Sequence, residues 1–124
     1  MPKRRYPESL DQQAFFQWLK ILYPEVYSLS TANGAGGKRN IREAARLKAE
    51  GLKKDFPDIS IYWPIHPFHG LFIEMKDKAT GRATLGQKEK VLELNRAGYC
   101  ARFAFGLDEA INIATAYLEQ EIPF

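Results

Sequence analysis

Phe56-Pro57-Asp58-Ile59-Ser60-Ile61-Tyr62-Trp63 and, after an intervening turn, Leu71-Phe72-Ile73-Glu74-Met75-Lys76 decide how this chain is read. Both runs are rich in β-branched and aromatic residues, and Pro64, Pro67 and Gly70 punctuate the gap. The pattern predicts two antiparallel strands joined by a loop. Side chains alternate along a strand, so Glu74 and Lys76 share one face while Leu71, Ile73 and Met75 share the other. The second strand is otherwise apolar and is expected to be buried. A carboxylate in that setting needs a partner, because an unpaired buried charge is costly. Folding the hairpin symmetrically about Pro67 sets Asp58 opposite Lys76. Asp58, Glu74 and Lys76 then gather at one end of the sheet.

Two carboxylates and an amine at one point suit a hard divalent cation, Mg2+ or Mn2+, which takes oxygen ligands together with water and substrate phosphate. The lysine can hold the attacking water or steady a charged phosphate. Pro-Asp and Glu-x-Lys are each common by chance, and a solvated pair on a strand face has the same spelling. The apolar setting of Glu74 and the flanking segments favour an active site.

Working outward toward the N-terminus, Lys38 to Lys54 holds seven Lys/Arg against two Glu. Asn40 and Glu43 form a capping box, the helix runs to about Glu50, and Gly51 terminates it. Arg42 and Arg46 lie four apart on one face. Such a run is commonly a solvated helix face. Its place directly before Pro57-Asp58 makes phosphate contact the better reading, with Lys53 and Lys54 included. Ahead of it, Asn33-Gly34-Ala35-Gly36-Gly37-Lys38-Arg39 is a glycine-rich loop ending in two cations. Glycines permit close backbone approach, so this loop can meet DNA phosphates; a plain surface loop has the same composition. It lacks the Gly-Lys-Ser/Thr ending of a nucleotide-binding loop, and no nucleotide cofactor is expected. Val26 to Ser30 is predicted to be a strand. Ser9 and Gln12 spell a capping box opening a helix along Leu10, Ala14, Phe15, Trp18, Leu19 and Leu22, with Pro24 as its stop. Residues 1–7, with Lys3, Arg4 and Arg5, read as a basic arm. Glu8 either favours the positive helix N-terminus or reaches toward the metal.

Beyond the hairpin, Thr84 and Gln87 form a further capping box at the head of a helix from Leu85 to Arg96. Gln87 either simply caps or faces the site. Tyr99 to Phe105 is a last strand, parallel to the Glu74 strand through a crossover, and Asp108 to Glu119 a closing amphipathic helix. His66 and His69 sit at the hairpin tip, away from the site. The order is α-β-α-β-β-α-β-α, an α/β fold with a small mixed β-sheet flanked by helices.

At 124 residues the chain reads as one domain, 1–124. Its 18 Lys+Arg against 15 Asp+Glu permit a polyanionic partner without demanding one. The single Cys100 makes no internal disulfide, and two His are too few for a Cys/His zinc site. No signal peptide or spanning apolar run is evident, so a cytoplasmic protein without a membrane partner is expected.

Pro57-Asp58, Glu74-Met75-Lys76, the Thr84-x-x-Gln87 helix start, Asn33-Gly34, Gly51 and Ala97-Gly98-Tyr99, in this order, resemble the VRR-NUC domain (virus-type replication-repair nuclease) of the PD-(D/E)xK nuclease superfamily. The resemblance spans nearly the whole chain and is to the stand-alone phage and bacterial form. It implies a restriction-endonuclease-like core, metal-dependent cleavage of branched DNA in the manner of Holliday junction resolvases, and a homodimer in a bacterial cell or phage-infected host. It implies Asp58, Glu74 and the Met75 carbonyl as metal ligands, Lys76 as catalytic lysine, Gln87 as an accessory and Glu8 as the first-helix acid, with Asp11 competing. Many relatives carry glycine where this chain has Asp55.

Overall fold

A computed structural model describes residues 7–33 and 40–122. The arm through Tyr6, Gly34, Lys38 and Arg39 of the glycine-rich loop, and Phe124 lie outside the described residues. The elements are α1 (Pro7–Leu22), α2 (Pro24–Ser28), β1 (Ser30–Ala32), α3 (Ile41–Ala49), β2 (Ile59–Ile61), β3 (Leu71–Lys76), α4 (Leu85–Arg96), β4 (Cys100–Phe105) and α5 (Leu107–Leu118). The sheet runs β1-β2-β3-β4; the first two pairings are antiparallel, and β3 lies parallel to β4 across the α4 crossover.

Two apolar layers hold this sheet. On one face Ile59, Ile61, Leu71, Ile73 and Met75 pack with Phe15 and Leu19 of α1 and Ala110, Ala114 and Tyr117 of α5. On the other, Phe72 and Ala101 pack under Leu94 of α4, with Phe56, Val91 and Tyr99 at the margin. Burial of this apolar surface is the main stabilising term. Asn95 pins α4 to β4: its side-chain amide donates to Ala101 O at 3.0 Å and its side-chain carbonyl accepts from Ala101 N at 2.9 Å. Gly51 (φ 108°) and Gly98 (φ 97°) follow α3 and α4 in the left-handed region that glycine enters without steric cost. Among the described residues no helix is long and apolar enough to cross a membrane.

Three expectations change. Val26 belongs to a short helix, α2, and is buried in the core; the strand begins only at Ser30. Pro24 opens that helix as well as stopping α1 at Leu22, since proline suits the first turn, where its missing N–H has no acceptor anyway. The element order is therefore α-α-β-α-β-β-α-β-α. Ser9 is no cap: α1 already starts at Pro7, and Ser9 Oγ accepts from Gln13 Nε2 one turn on at 3.4 Å. Finally, the hairpin pairs Ile59 with Ile73 and Ile61 with Leu71. Continued by one residue, that ladder sets Asp58 opposite Glu74, not Lys76. The arms of the turn are unequal: Ile65 bridges Phe68, with Tyr62, Trp63 and Pro64 leading in but only His69 and Gly70 leading out. A displacement of two residues keeps each side chain on its face, so the expected cluster survives it.

Candidate active site

Asp58 is fixed from both sides. Its backbone carbonyl accepts from Asn33 N at 2.8 Å, prolonging the β1–β2 pairing. Its carboxylate Oδ2 accepts from the Met75 N–H at 2.8 Å, across the end of β3. Glu74, one residue earlier on that strand, is 5 % exposed. Its Oε2 takes two partners: Lys76 Nζ at 3.4 Å and Gln87 Nε2 at 3.1 Å. The Lys76 contact follows from strand alternation, which sets residues two apart on one face.

Gln87 arrives from the start of α4, and its geometry comes from the cap. Thr84 Oγ1 accepts from Gln87 N at 3.1 Å, and Gln87 Oε1 accepts from Thr84 N at 3.0 Å. With its oxygen committed to the cap, the amide nitrogen of the same side chain is aimed at Glu74. The two readings of Gln87 offered by the sequence are thus both true at once.

Burial raises the pKa of Glu74 to about 7, and the neighbouring Asp58 charge pushes the same way; Lys76 opposes them. Asp58 is also raised by burial, although the Met75 N–H and then Lys76 favour its ionised form. The pair is short of positive charge: two carboxylates share a confined space against one ammonium group. A cation bound there would favour ionisation of both.

Met75 contributes only backbone here, since its side chain is buried in the opposite layer. Glu8 is exposed in the first turn of α1. Among the described residues no group of three or more His, Cys, Asp or Glu side chains is arranged to hold a metal, so Glu8 is not brought into such a group with Asp58 and Glu74. Its rival Asp11 is half-buried beside Lys78 and the start of α5. The exposed His66 and His69 stay in the hairpin turn, where His69 stacks edge-on to Tyr99.

The expected DNA-contact residues divide. Asn33 and Lys53 line a recess of about 430 Å3 over the sheet, with Phe56, Ser60, Tyr62 and Phe72. Arg42, Arg46, Lys53 and Lys54 are exposed, and Arg46 pairs with Glu50 at 3.1 Å. Two residues were not singled out from the sequence. Lys48 and Lys90 join Lys53 and Lys54 around a second recess of about 580 Å3, between α3 and α4. Lys90 is half-buried, 4.7 Å above the Phe56 ring and paired with Glu93 at 2.8 Å. Lys48 lay within the basic run; nothing local to Lys90 ties it to that run.

The layered α/β fold has a counterpart among solved structures. A structure described as a "VRR_NUC domain protein" is 28% identical to this chain and superposes with a TM-score of 0.81, over 94% of this chain and 92% of the other. The chain folds as a VRR-NUC domain. No family model and no curated protein matches the sequence.

Proposed function

We propose that this chain is a Mg2+- or Mn2+-dependent endodeoxyribonuclease acting on branched DNA, four-way junctions foremost, as a homodimer. The observation that carries the reading is the buried Glu74 carboxylate set beside Asp58, with Lys76 and Gln87 both on its Oε2. The donor set fits a hard divalent cation, since carboxylate oxygens are its preferred ligands and two carboxylates there face one ammonium group. Asp58 and Glu74 would hold the ion, with the Met75 carbonyl as the third protein ligand that the resemblance implies. Bound there, the ion supplies a Lewis acid for the phosphoryl oxygen and lowers the pKa of a water.

The chain's own groups do the positioning. Gln87 holds Glu74 in one rotamer through the capping box. The Met75 N–H holds Asp58. Lys76 stands beside Glu74 with its side chain largely buried and offers its ammonium protons to the attacking water or to the charge gathering on the phosphate. Arg42, Arg46, Lys53 and Lys54, exposed in the segment that precedes Asp58 in the chain, would supply sequence-independent phosphate contacts. Resemblance to the stand-alone form supports the branched substrate. Symmetry supports the dimer: one domain has one such cluster, whereas a four-way junction calls for two cuts related by a two-fold axis.

Labelled linear duplex, flap and four-way DNA, incubated with the protein in Mg2+, in Mn2+ and in chelator, test the reading. Metal-dependent paired cuts in the four-way substrate are expected. Cutting of flap or duplex alone would reassign the substrate, and binding without cutting in either metal would make the domain a non-cleaving DNA-binding subunit.

A further inference from the structure

Asp55 is the residue before Phe56-Pro57-Asp58 and takes φ 71°, the left-handed region. Among L residues Asp and Asn enter that region most readily, but glycine enters it more easily still. Its side chain is half-buried, and it lies on Gly86 in the first turn of α4. A Cβ at Gly86 would stand 2.5 Å from Asp55 Oδ2 and 3.0 Å from Cγ, so only glycine lets the carboxyl group rest there. A negative group against the first turn of a helix is also favoured by the helix dipole.

That contact joins the two segments that converge on Glu74. On one side Asp55 leads through the fully buried Pro57 to Asp58. On the other Gly86 is followed by Gln87, which donates to Glu74. With Met75 N–H on Asp58, the path closes on itself: Asp55, Asp58, Met75, Glu74, Gln87, Gly86 and back to Asp55.

We propose that Asp55 is a positioning residue, whose carboxyl group laid against Gly86 fixes the loop carrying Asp58 to the helix start carrying Gln87. The inference rests on the nuclease reading of that site. It assigns Asp55 no contact with substrate or ion. Its effect passes through the placing of Asp58 and Gln87 around Glu74.

The test is a double-mutant cycle on Asp55→Gly and Gly86→Ala, read by Mn2+-dependent DNA cleavage, with Asp55→Asn as the conservative variant. Asp55→Gly keeps the backbone shape, so its melting temperature should stay near that of the wild type. Its kcat should fall on the order of ten- to a hundredfold with KM unchanged, since misplacement of about 1 Å has effects of that size. Gly86→Ala should lose kcat similarly by displacing the carboxyl group, and the double variant should be no slower than Asp55→Gly. Asp55→Asn, which keeps shape and backbone preference, should retain more kcat than Asp55→Gly. Wild-type kcat in Asp55→Gly, losses that multiply in the double variant, or loss of kcat only in step with melting temperature would each overturn the role. A wild-type protein that neither cuts DNA nor binds Mn2+ would overturn the nuclease reading and this role with it; a cutting wild type with indifferent variants would overturn only the role of Asp55.

Discussion

At the scale of single residues, Glu74 is the group whose chemistry is most altered by the fold. Its pKa rises to about 7, first through burial and then through Asp58. The folded state without metal therefore holds that proton more tightly than the unfolded chain does. This contribution to stability is full below the ordinary glutamate range and is lost as pH rises through about 7. Proton and cation compete for the same oxygens, so ion affinity should move the opposite way, weakening as pH falls from 8 to 6. Thermal melts across that range, with Mn2+ and with chelator, check both signs. The stabilisation by Mn2+ should be larger at pH 8, and Glu74→Gln should flatten the chelator curve; an Mn2+ effect greater at pH 6 would contradict the assignment. The residue scale is also where the sequence was most legible. Glu74 in an apolar strand and Pro57-Asp58 before one are local signals. The left-handed backbone of Asp55 was not legible, because an Asp at that position spells nothing about its φ. A backbone with that φ also suits glycine.

Among the elements, α3 is the one the core does not need. All of its residues are exposed except Leu47, which is half-buried, and none is fully buried. Its helix is specified by the Asn40 cap, whose side chain accepts from Glu43 N at 2.7 Å, and not by packing. Arg42→Ala with Arg46→Ala should therefore leave the melting temperature nearly unchanged while weakening DNA binding. Each lost phosphate contact should also flatten the dependence of log affinity on log salt by about one. Binding titrations at several salt concentrations measure this, and an unchanged slope would make α3 a solvated face. The Asn40 cap of α3 and the capping box of α4 were legible because their bonds are local. The Ser9-x-x-Gln12 pattern misled because the same spelling occurs inside a helix that Pro7 had already begun. Val26 misled because one β-branched residue after a proline suits a first helical turn as well as a strand.

At the scale of the whole molecule, the alternation of helices and strands already implied a mixed sheet with helices on its faces. The hairpin register did not follow, because it is set by unequal turn arms and by distant anchors. One anchor is the Tyr117 hydroxyl, which donates to Trp63 O at 2.7 Å and accepts from Ile65 N. Phe16 of α1 is half-buried against Phe15 and Tyr27 in its own chain and is a poor interface residue. Ile21, Leu22 and Tyr62, at 77 %, 58 % and 54 % exposed, are the better candidates for an apolar contact with a second copy. Light scattering at micromolar concentration should give twice the chain mass; a monomer making paired symmetric cuts in one junction would defeat the dimer argument.

The central claim about the molecule is that Asp58 and Glu74 hold an ion that Lys76 does not. Calorimetric titration with Mn2+ of the wild type, Glu74→Ala and Lys76→Ala, each shown to be folded, measures that division directly. The wild type and Lys76→Ala should bind the ion with similar affinity while Glu74→Ala binds none. Equal binding by Glu74→Ala, or its loss in Lys76→Ala alone, would contradict the site.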